Sequence, residues 1–587
     1  MRHLTITVLP LFLLFFSCSG GSDIESSSLT PDVPSGLEVS SVTRNSAVVK
    51  WKAAANADNY EWKLERNGDV FLTGKRSALY VNIEGLEASC SYSFSVRALN
   101  GSSFSKWSDS IDIITEDAPE IVPDAPDALC IDSPLLLKLG YKPEFGTVGF
   151  IKVFDSADNL VDAIDLSDIA TVTIRDDGQM IPREKLTGTT PLSSFMDVVK
   201  CGSRWRIIHY TPLRAKDDAL EIRLHNSVLD YGKEYYVTMD AGVVKGHPGI
   251  SKGEWSFKTK SKPELSSVLN VNSDGSADFC TVQGALCAAN SVAKDNAVQI
   301  NVAAGTYLET LCMRDKNNVT LSGADREKTI IAYANSEGYE GGSGASVSGR
   351  PSLGQPIDPA DGKNTGGRGV MLFENCDNLR MENLMMHNTF GSKDGQAEVL
   401  YFNSGNNSHH LIIKNCTLRS LQDTFLCKGI VHVDNSLIAG HCDYIWGYPE
   451  ECIFKNCEIR SEAAGYIVQA RTRVDATGFV FINCSLTGGS ETPVGSVYLA
   501  RATDHEKEAE GKKTYDNVTY INCSMSSVIR PEGWLESPKS NPENATATAG
   551  WKEYGSTDLS GKALNLGGRS KMARVLTADE AAHYLDK

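Results

Sequence analysis

Two aspartates lie at equivalent points of two similar strand patterns, and together they could form a catalytic pair. Asp423 and Asp443 each follow the asparagine that ends the pattern, Asn415 or Asn435, by eight residues. If the two patterns are successive turns of a solenoid, their strands stack about 4.8 Å apart. Two carboxylates on neighbouring turns do not ionise independently, so one can act as an acid while the other acts as an anion.

Amide and aromatic side chains accompany these aspartates. Gln422 directly precedes the first, and Tyr444 and Trp446 follow the second. Gln396 and Gln469 each stand thirteen residues after an asparagine of the same kind of pattern. A carboxylate pair alone fits the cleavage of glycosides or of esters. The amides favour ester chemistry, because a developing oxyanion needs N–H donors.

The strand pattern recurs through the C-terminal half of the chain. Its asparagines are 20 to 39 residues apart, with a basal period near 20, and cysteine follows four of them. This spacing predicts a parallel β-helix with one rung per turn. Stacked asparagines at the turns and small apolar cysteines inside would suit such a ladder. The residues are Asn383, Asn415, Asn435, Asn456, Asn483 and Asn522, with Cys416, Cys457, Cys484 and Cys523.

The 587-residue chain is too long for one ordinary domain. Residues 31–117 alternate in short strands, and their aromatic and aliphatic positions resemble the core of a fibronectin type III module. Residues 124–260 are also β-rich and look like a bacterial immunoglobulin-like domain. Both modules are predicted to be spacers, with sugar binding left open, and the solenoid follows at 265–587. The core residues that carry the first resemblance are Trp51, Leu86, Tyr92, Phe94 and Val96.

The N-terminus has the pattern of a targeting segment. Arg2 and His3 precede an apolar run, Leu4 to Phe16, that is too short to span a bilayer as a helix. We predict a signal peptide at residues 1–18. Its end resembles a bacterial lipobox in which Cys18 would be lipidated, and ordinary secretion is the alternative. The protein is expected to be exported and held by this anchor at the outer membrane, the cell surface or in the periplasm, with the rest soluble.

The charge balance of 57 − 74 = −17 argues against nucleic-acid partners, and it gives no reason to expect attraction to anionic polymers. Cys452 and Cys457 have no histidine at ligand spacing, so no metal or other cofactor is expected. The stretch from Gly249 to Gly253 matches the nucleophile-elbow pattern of serine hydrolases. That motif needs a strand before it and a helix after it, whereas a proline precedes this one, so we predict a surface turn. The protein is expected to be a monomer.

Residues 265–587 resemble the pectin methylesterase family of carbohydrate esterases. The matching motifs occur in the family's order along the whole segment, and only the ordered set is specific. The resemblance implies an all-β chain in which a right-handed parallel β-helix catalytic domain follows two β-sandwich modules. Glu309 in the first motif is expected to be structural. The motifs are Gly305–Glu309, Gln396–Ala397, Gln422–Thr424, Asp443–Gly447, Leu499–Arg501, Gly533–Trp534 and Glu553–Gly555.

The resemblance also implies a role for each site residue. Asp443 would attack the methyl-ester carbonyl of a galacturonate unit in pectin (homogalacturonan). Asp423 would protonate the departing methanol and then act as base for the hydrolytic water. Gln396 and Gln422 would donate to the oxyanion. Arg501 would keep Asp443 ionised and oriented.

The sugar-facing side departs from the family pattern. Thr503 stands where the family has a tryptophan, while Tyr444 and Trp446 replace two phenylalanines. Together with Gln469 these three form the predicted substrate-binding set, and Trp446 could compensate for the missing tryptophan. One alternative is an esterase or thioesterase with the same site and another substrate. A second is a non-catalytic carbohydrate-binding or adhesion protein. Pectate lyase and polygalacturonase motifs are absent from the sequence.

Overall fold

The computed structural model describes residues 30–116, 122–123, 128–183, 191–263, 267–340, 345–355, 363–364, 369–393, 395–502, 515–536 and 545–587. The chain forms two compact units, one ending at Ala118 and one beginning at Pro119. The predicted signal peptide and Cys18 lie outside the described residues. In the described part of the chain, no helix has the length and apolar character needed to cross a bilayer.

The first unit is a β-sandwich of antiparallel strands in two sheets. Trp51 packs between Tyr60 and Phe94, with ring centroids 5.6 and 6.1 Å away. All five predicted core residues are buried, which confirms that prediction. The strands are Ser35–Val42, Ser46–Lys52, Asn59–Arg66, Asp69–Arg76, Tyr80–Glu84, Ser91–Asn100, Ser103–Phe104 and Ile111–Ile114.

The second unit begins with a β-rich part, residues 128–183 and 191–263, called here the second module. It has its own buried core beneath small antiparallel sheets. At the Gly249–Gly253 stretch no helix follows, so the hydrolase elbow is absent there. The strands of this part are Val122–Pro123, Leu135–Lys138, Phe150–Asp155, Leu160–Asp165, Val172–Ile174, Met180–Pro182, Met196–Cys201, Arg204–His209, Leu213–Ala215, Ala219–Ile222, Glu234–Met239 and Ser256–Lys258, with a 3-10 turn at Leu166–Thr171.

The remainder of the second unit is a parallel β-helix. Twenty-four of its described strands form one sheet in which strands pair in parallel with the equivalent strands of the next turn, while Ala345–Val347 and Lys363–Asn364 pair antiparallel in another sheet. The strands are Val268–Val271, Val298–Val302, Gly305–Leu308, Leu311–Arg314, Val319–Gly323, Thr329–Tyr333, Met371–Glu374, Leu379–Glu382, Met385–Asn388, Leu400–Asn403, His410–Lys414, Thr417–Arg419, Phe425–Asp434, Leu437–Lys455, Glu458–Ala470, Gly478–Ile482, Ser485–Gly488, Val497–Arg501, Val518–Ile521, Ser524–Met525, Trp534–Leu535, Trp551–Tyr554, Thr557–Asp558 and Arg574–Val575.

The predicted stacking of asparagine side chains is confirmed for Asn383, Asn415 and Asn435, whereas Asn456 Nδ2 donates to Asp434 Oδ1 at 3.2 Å. All six asparagines have φ between 47° and 57°, the left-handed conformation that asparagine tolerates at turns. Asn415 Nδ2 donates to Asn383 Oδ1 at 2.9 Å, and Asn435 Nδ2 donates to Asn415 Oδ1 at 3.4 Å. The four cysteines that follow asparagines are buried in the interior. The ladder fixes the point at which each turn bends.

Helices lie at both ends of the solenoid. The first, Val282–Ser291, starts at the N-cap Thr281. The Glu309 carboxylate accepts the N–H groups of Val282 and Gln283, both at 3.0 Å, so its predicted structural role is confirmed. The last, Ala578–Leu585, begins with a capping box between Thr577 and Glu580. The described residues of the solenoid also include a short helix at Glu337–Glu340 and a 3-10 turn at Leu566–Gly568.

The second module and the solenoid belong to the same compact unit. The hairpin Met196–Cys201/Arg204–His209 is extended by Ala345–Val347, which lies in a glycine-rich insertion of the solenoid, residues 336–368. Gln179 Nε2 donates to Ala334 O, and Ala334 N donates to Gln179 Oε1, both at 2.8 Å. The domain boundary at 260–265 therefore stays a prediction from sequence, because backbone pairing and side-chain contacts join the two parts.

Candidate active site

The two aspartates occupy the same position on neighbouring rungs, as the sequence predicts. Gln422 pairs in parallel with Cys442, and the Asp423 N–H donates to Cys442 O at 3.0 Å. Both aspartates have left-handed backbones, with φ of 61° and 47°, at the bend that leads into the next strand. Both are buried. The shared backbone conformation places the two carboxylates on consecutive turns of one ladder.

Asp443 is held by two donors. Arg501 Nε lies 2.8 Å from Oδ1 and 3.0 Å from Oδ2, and its Nη2 lies 2.5 Å from Oδ2. Gln469 Nε2 donates to Oδ2 at 2.9 Å. The hydrogen bond to Asp443 raises the pKa of the Arg501 guanidinium, so the arginine stays charged. These charge-assisted contacts fix the plane of the Asp443 carboxylate.

Gln469 therefore differs from its predicted role. It was assigned from sequence to substrate binding, but its side chain is buried and donates directly to Asp443. Its strand runs beside that of Asp443, with Trp446 paired to Gln469. Its side chain orients the Asp443 carboxylate.

Gln396, Gln422 and Cys442 stack in parallel register across three successive turns. The two glutamines are half-buried. Within the described ranges, neither side-chain amide is occupied by a hydrogen bond to the protein. Glu337 N donates to Gln396 O at 2.9 Å, which ties the start of the insertion to this rung. The two amides are thus available beside the aspartates, as an oxyanion-binding role requires.

Cys442 directly precedes Asp443 and shares the register position of Gln422. Burial, followed by the negative charges of Asp443 and Asp423, raises the pKa of its thiol to about 12, against an opposing effect of Arg501. The thiol therefore stays protonated near neutral pH. A cysteine nucleophile at this site is unfavourable.

The prediction that Tyr444 contacts substrate is wrong. Its ring is fully buried in the solenoid core, where its hydroxyl lies 3.0 Å from Ser461 Oγ. Two residues later Trp446 is also largely buried, at 9% exposed, and the Arg471 guanidinium lies 5.3 Å from its ring centroid. Thr503, the remaining member of the predicted substrate set, lies outside the described residues. Gly447 completes the motif with φ of 131°, where a Cβ would lie 2.2 Å from Cys427 O.

Sequence reasoning missed a tyrosine pair beside Arg501. Tyr466 and Tyr498 are paired on adjacent strands, and their rings stack with centroids 5.8 Å apart. The Arg501 guanidinium lies 5.6 Å from the Tyr466 ring centroid, and that of Arg530 lies 4.7 Å from the Tyr498 ring centroid. In the sequence, the pair is visible only as a tyrosine at the same position of two strands. The turns that contain these strands differ in length, so the equivalence of the two positions cannot be read from the asparagine spacing.

A second cluster of chemical groups lies where the second module meets the solenoid. The ligand atoms of Cys130, Asp132 and Cys280 lie within 4.8 Å of one another, a spacing that could hold a metal ion. The Asp132 carboxylate already accepts the N–H groups of Cys280 and Thr281 and the Thr281 hydroxyl. A crevice of about 280 Å³ lies nearby. The Asp132 carboxylate therefore anchors the start of the helix Val282–Ser291.

Residues 361–585 match the family model described as pectinesterase. This segment contains Gln396, Gln422, Asp423, Asp443 and Arg501. It is a pectinesterase-family domain. Residues 32–114 match the fibronectin type III domain, in agreement with the predicted first module.

Relatives of the pectinesterase domain cover about half of the chain. Pectinesterase 31 of Arabidopsis thaliana is 25% identical over 324 residues, which are 54% of this chain and 90% of that protein. Probable pectinesterase/pectinesterase inhibitor 64 of the same plant is 26% identical over 338 residues, but only 50% of its length is covered. A crystal structure of the pectin methylesterase from Aspergillus niger matches at 23% identity with a TM-score of 0.42, covering 54% of this chain and 92% of that one.

Proposed function

We propose that the pectinesterase domain hydrolyses the methyl esters of galacturonate units in pectin, releasing methanol and de-esterified pectin. The observation that carries this proposal is the carboxylate of Asp443, held by the Arg501 fork with Asp423 on the adjoining rung. The available amides of Gln396 and Gln422 complete the set that ester cleavage needs.

The reaction proceeds in two halves. Asp443 attacks the ester carbonyl and forms a tetrahedral intermediate, whose oxyanion accepts hydrogen bonds from Gln396 and Gln422. Methanol leaves with a proton from Asp423, and an acyl-enzyme anhydride remains on Asp443. Asp423 then takes a proton from water, which attacks the anhydride and restores both aspartates.

Each group has a different energetic role. Loss of one oxyanion donor typically raises the barrier by about 3–4 kcal/mol. Arg501 and Gln469 act earlier, because they hold the nucleophile in one orientation before substrate arrives. Arg501 and Gln469 therefore position the nucleophile. Gln396 and Gln422 stabilise negative charge that appears only during the reaction.

The test is methanol release from methylated pectin by wild type, Asp443→Asn and Asp423→Asn. We expect wild-type activity and a loss of at least about 10³-fold in kcat in either variant, since each removes a reacting group. Asp475→Asn, at an exposed position beside Arg473, is the matched control. Absence of wild-type release over a range of pH would refute the proposal, and turnover of an acyl thioester instead would reassign the substrate.

We also propose that the exported chain is anchored in a membrane through a lipid on Cys18 and acts there as a monomer. The targeting pattern supports the anchor, and all assigned catalytic residues come from one chain. Expression of wild type and Cys18→Ser in a bacterial host, followed by membrane fractionation and mass spectrometry of the N-terminal peptide, tests this. An unmodified wild-type N-terminus, or membrane retention of the variant equal to wild type, would count against the anchor.

A further inference from the structure

Two thiols meet where the second module joins the solenoid. Cys130 lies in a turn of the module, in which the Ser133 N–H donates to Cys130 O at 3.1 Å, and Cys280 lies just before the helix Val282–Ser291. Both side chains are buried, and their Sγ atoms lie within 4.8 Å of each other. The two cysteines are 150 positions apart in the sequence, so the pair connects distant parts of the chain.

Asp132 holds the two thiols in this arrangement. Its carboxylate accepts the Cys280 N–H at 3.1 Å on each oxygen, the Thr281 N–H at 2.8 Å and the Thr281 hydroxyl at 2.6 Å. These bonds fix the turn of the module against the start of the solenoid. A zinc ion takes four ligands, or three and a water, whereas these bonds leave only the two thiols of this cluster available. The cluster therefore favours a bond between the thiols over a metal ion.

A lysine lies beside the Cys130 thiol. Lys260 Nζ donates to Gly275 O at 2.6 Å and to Ala277 O at 3.0 Å, and Cys130 Sγ lies 3.8 and 3.4 Å from the same two oxygens. The hydrogen bond from the Cys280 thiol lowers the pKa of Cys130, although burial opposes it, and the Lys260 charge adds to the lowering. Because the thiolate is the nucleophile in disulfide exchange, Cys130 is the member of the pair that attacks first.

A crevice of about 500 Å³ gives access to Cys130, which lines it together with Lys260 and Tyr231. A second thiol pair, Cys201 and Cys312, also joins the module to the solenoid, but it packs within a cluster of buried apolar side chains. There the two thiols act as small apolar groups. Cys130 differs from that pair because it combines an open approach with a neighbouring cation.

We propose that Cys130 and Cys280 form a disulfide bond in an oxidising compartment and thereby fasten the second module covalently to the start of the solenoid. The oxidant is a second disulfide, either that of a thiol oxidoreductase or that of a small thiol such as glutathione. The proposed export would bring the chain into a compartment where disulfides persist. The two sulfurs must approach to about 2.05 Å, a shift that rotation about the Cα–Cβ bonds of the two cysteines can supply.

The bond forms by two exchange steps. The Cys130 thiolate attacks one sulfur of the oxidant, the other sulfur leaves as a thiolate, and a mixed disulfide remains on Cys130. The Cys280 thiolate then attacks the Cys130 sulfur, forms the Cys130–Cys280 bond and releases the second sulfur of the oxidant. The protons of the two cysteines pass to the two released thiolates. The oxidant thus takes up two electrons and ends as two thiols.

The test equilibrates the reduced full-length protein with oxidised glutathione, alkylates the remaining thiols and digests the chain without reduction. We expect mass spectrometry to find the peptide of Cys130 linked to that of Cys280, with fragmentation distinguishing Cys280 from Cys287. Because the bond closes a long loop, the second unit should unfold at least about 5 °C higher than in dithiothreitol. Cys130→Ala and Cys280→Ala should each lose both the link and this difference in Tm.

Cys201→Ala is the matched control, because it removes a buried thiol at the same junction and should keep both the link and the redox-dependent Tm. Alkylation of both Cys130 and Cys280 in oxidised glutathione, or a link from either one to a different cysteine, would overturn the inference. So would one equivalent of zinc that protects both thiols from alkylation until a chelator removes it. None of these readouts requires export or methanol release, so failure of the proposed function leaves them interpretable.

Discussion

At the scale of single residues, the two aspartates show how neighbours assign different roles to the same side chain. Both have left-handed backbones at one position of the repeat. Asp443 receives the Arg501 fork and the Gln469 amide, which hold its carboxylate in one orientation. Asp423 stands one turn earlier, directly after the half-buried Gln422. The asymmetry lies in the side chains around the pair and not in the backbone that supports it.

The two aromatic residues after Asp443 should respond differently to mutation. Trp446→Ala is expected to raise KM for methylated pectin several-fold, because it removes a ring beside the nucleophile. Tyr444→Phe is expected to leave kcat and KM within about twofold and to lower stability by about 1 kcal/mol, since only a buried hydrogen bond to Ser461 is lost. Steady-state kinetics and urea unfolding provide both readouts. A similar rise in KM in the two variants would contradict the buried position of Tyr444.

Much of the site was predictable because its residues recur at fixed offsets. The offset from asparagine identified Asp423 and Asp443, and the family motifs identified Gln396, Gln422 and Arg501. Side-chain direction was less predictable. Tyr444 and Trp446 stand two residues apart, and the structure buries the first completely and leaves the second 9% exposed. Residues without a sequence offset, such as Tyr466 and Tyr498, could only be placed once the strand register was known.

At the scale of elements, the solenoid was predictable to the level of individual turns. The asparagine ladder and the buried cysteines follow from a repeat visible in the sequence. The pairing of the second module with the solenoid was not predictable from the sequence, because Ala345–Val347 pairs with a strand about 140 residues earlier in the chain. No local propensity encodes a contact at that distance along the chain.

The C-terminal rung contains a buried lysine that should make stability depend on pH. Lys552 is fully buried, its Nζ donates to Gly550 O at 2.6 Å, and burial lowers its pKa from 10.5 to about 7. Between these two values the unfolded chain binds more protons than the folded one. Stability contributed by this group therefore rises with pH, by up to about 1.4 kcal/mol per pH unit.

Lys552→Met should remove that dependence. We expect the variant to be more stable than wild type near pH 6.5, by on the order of 3 kcal/mol, and to lose most of this advantage by pH 9.5. The measurement is the free energy of unfolding in urea at both pH values. Lys562→Met, at an exposed position, should show no such change. The same difference from wild type at both pH values would be inconsistent with a depressed pKa.

At the scale of the whole molecule, the second module is structurally part of the catalytic unit. Asp132 anchors the helix that caps the solenoid, and the 196–209 hairpin extends into the glycine-rich insertion. Gln179 bonds both backbone groups of Ala334, three residues before Glu337, whose N–H donates to Gln396 O. The interpretation of this module as a simple spacer is incomplete, because its contacts reach a backbone that supports the site.

Gln179→Ala should therefore affect both stability and catalysis. It leaves a buried N–H and a buried C=O of Ala334 without partners, at about 2–4 kcal/mol in total. We expect a matching loss of unfolding free energy and a several-fold fall in kcat for methanol release. Gln299→Ala, which removes a bond between two side chains on a solenoid strand, should change stability by less than about 1 kcal/mol. A destabilised variant with unchanged kcat would show that the contacts of the second module do not influence catalysis.

The stacked register of Gln396, Gln422 and Cys442 restricts how this domain can diverge in evolution. Gln396 and Gln422 are twenty-six residues apart, and Gln422 and Cys442 are twenty apart, yet all three share one register position. The longer turn accommodates its extra residues in the loop around Asn406. Insertions and deletions there leave the site in place. A single-residue slip within a strand would turn every following side chain to the other face. Descendants of this domain can therefore exchange the loops that border the cleft, and with them the substrate, while keeping the spacing of the catalytic groups.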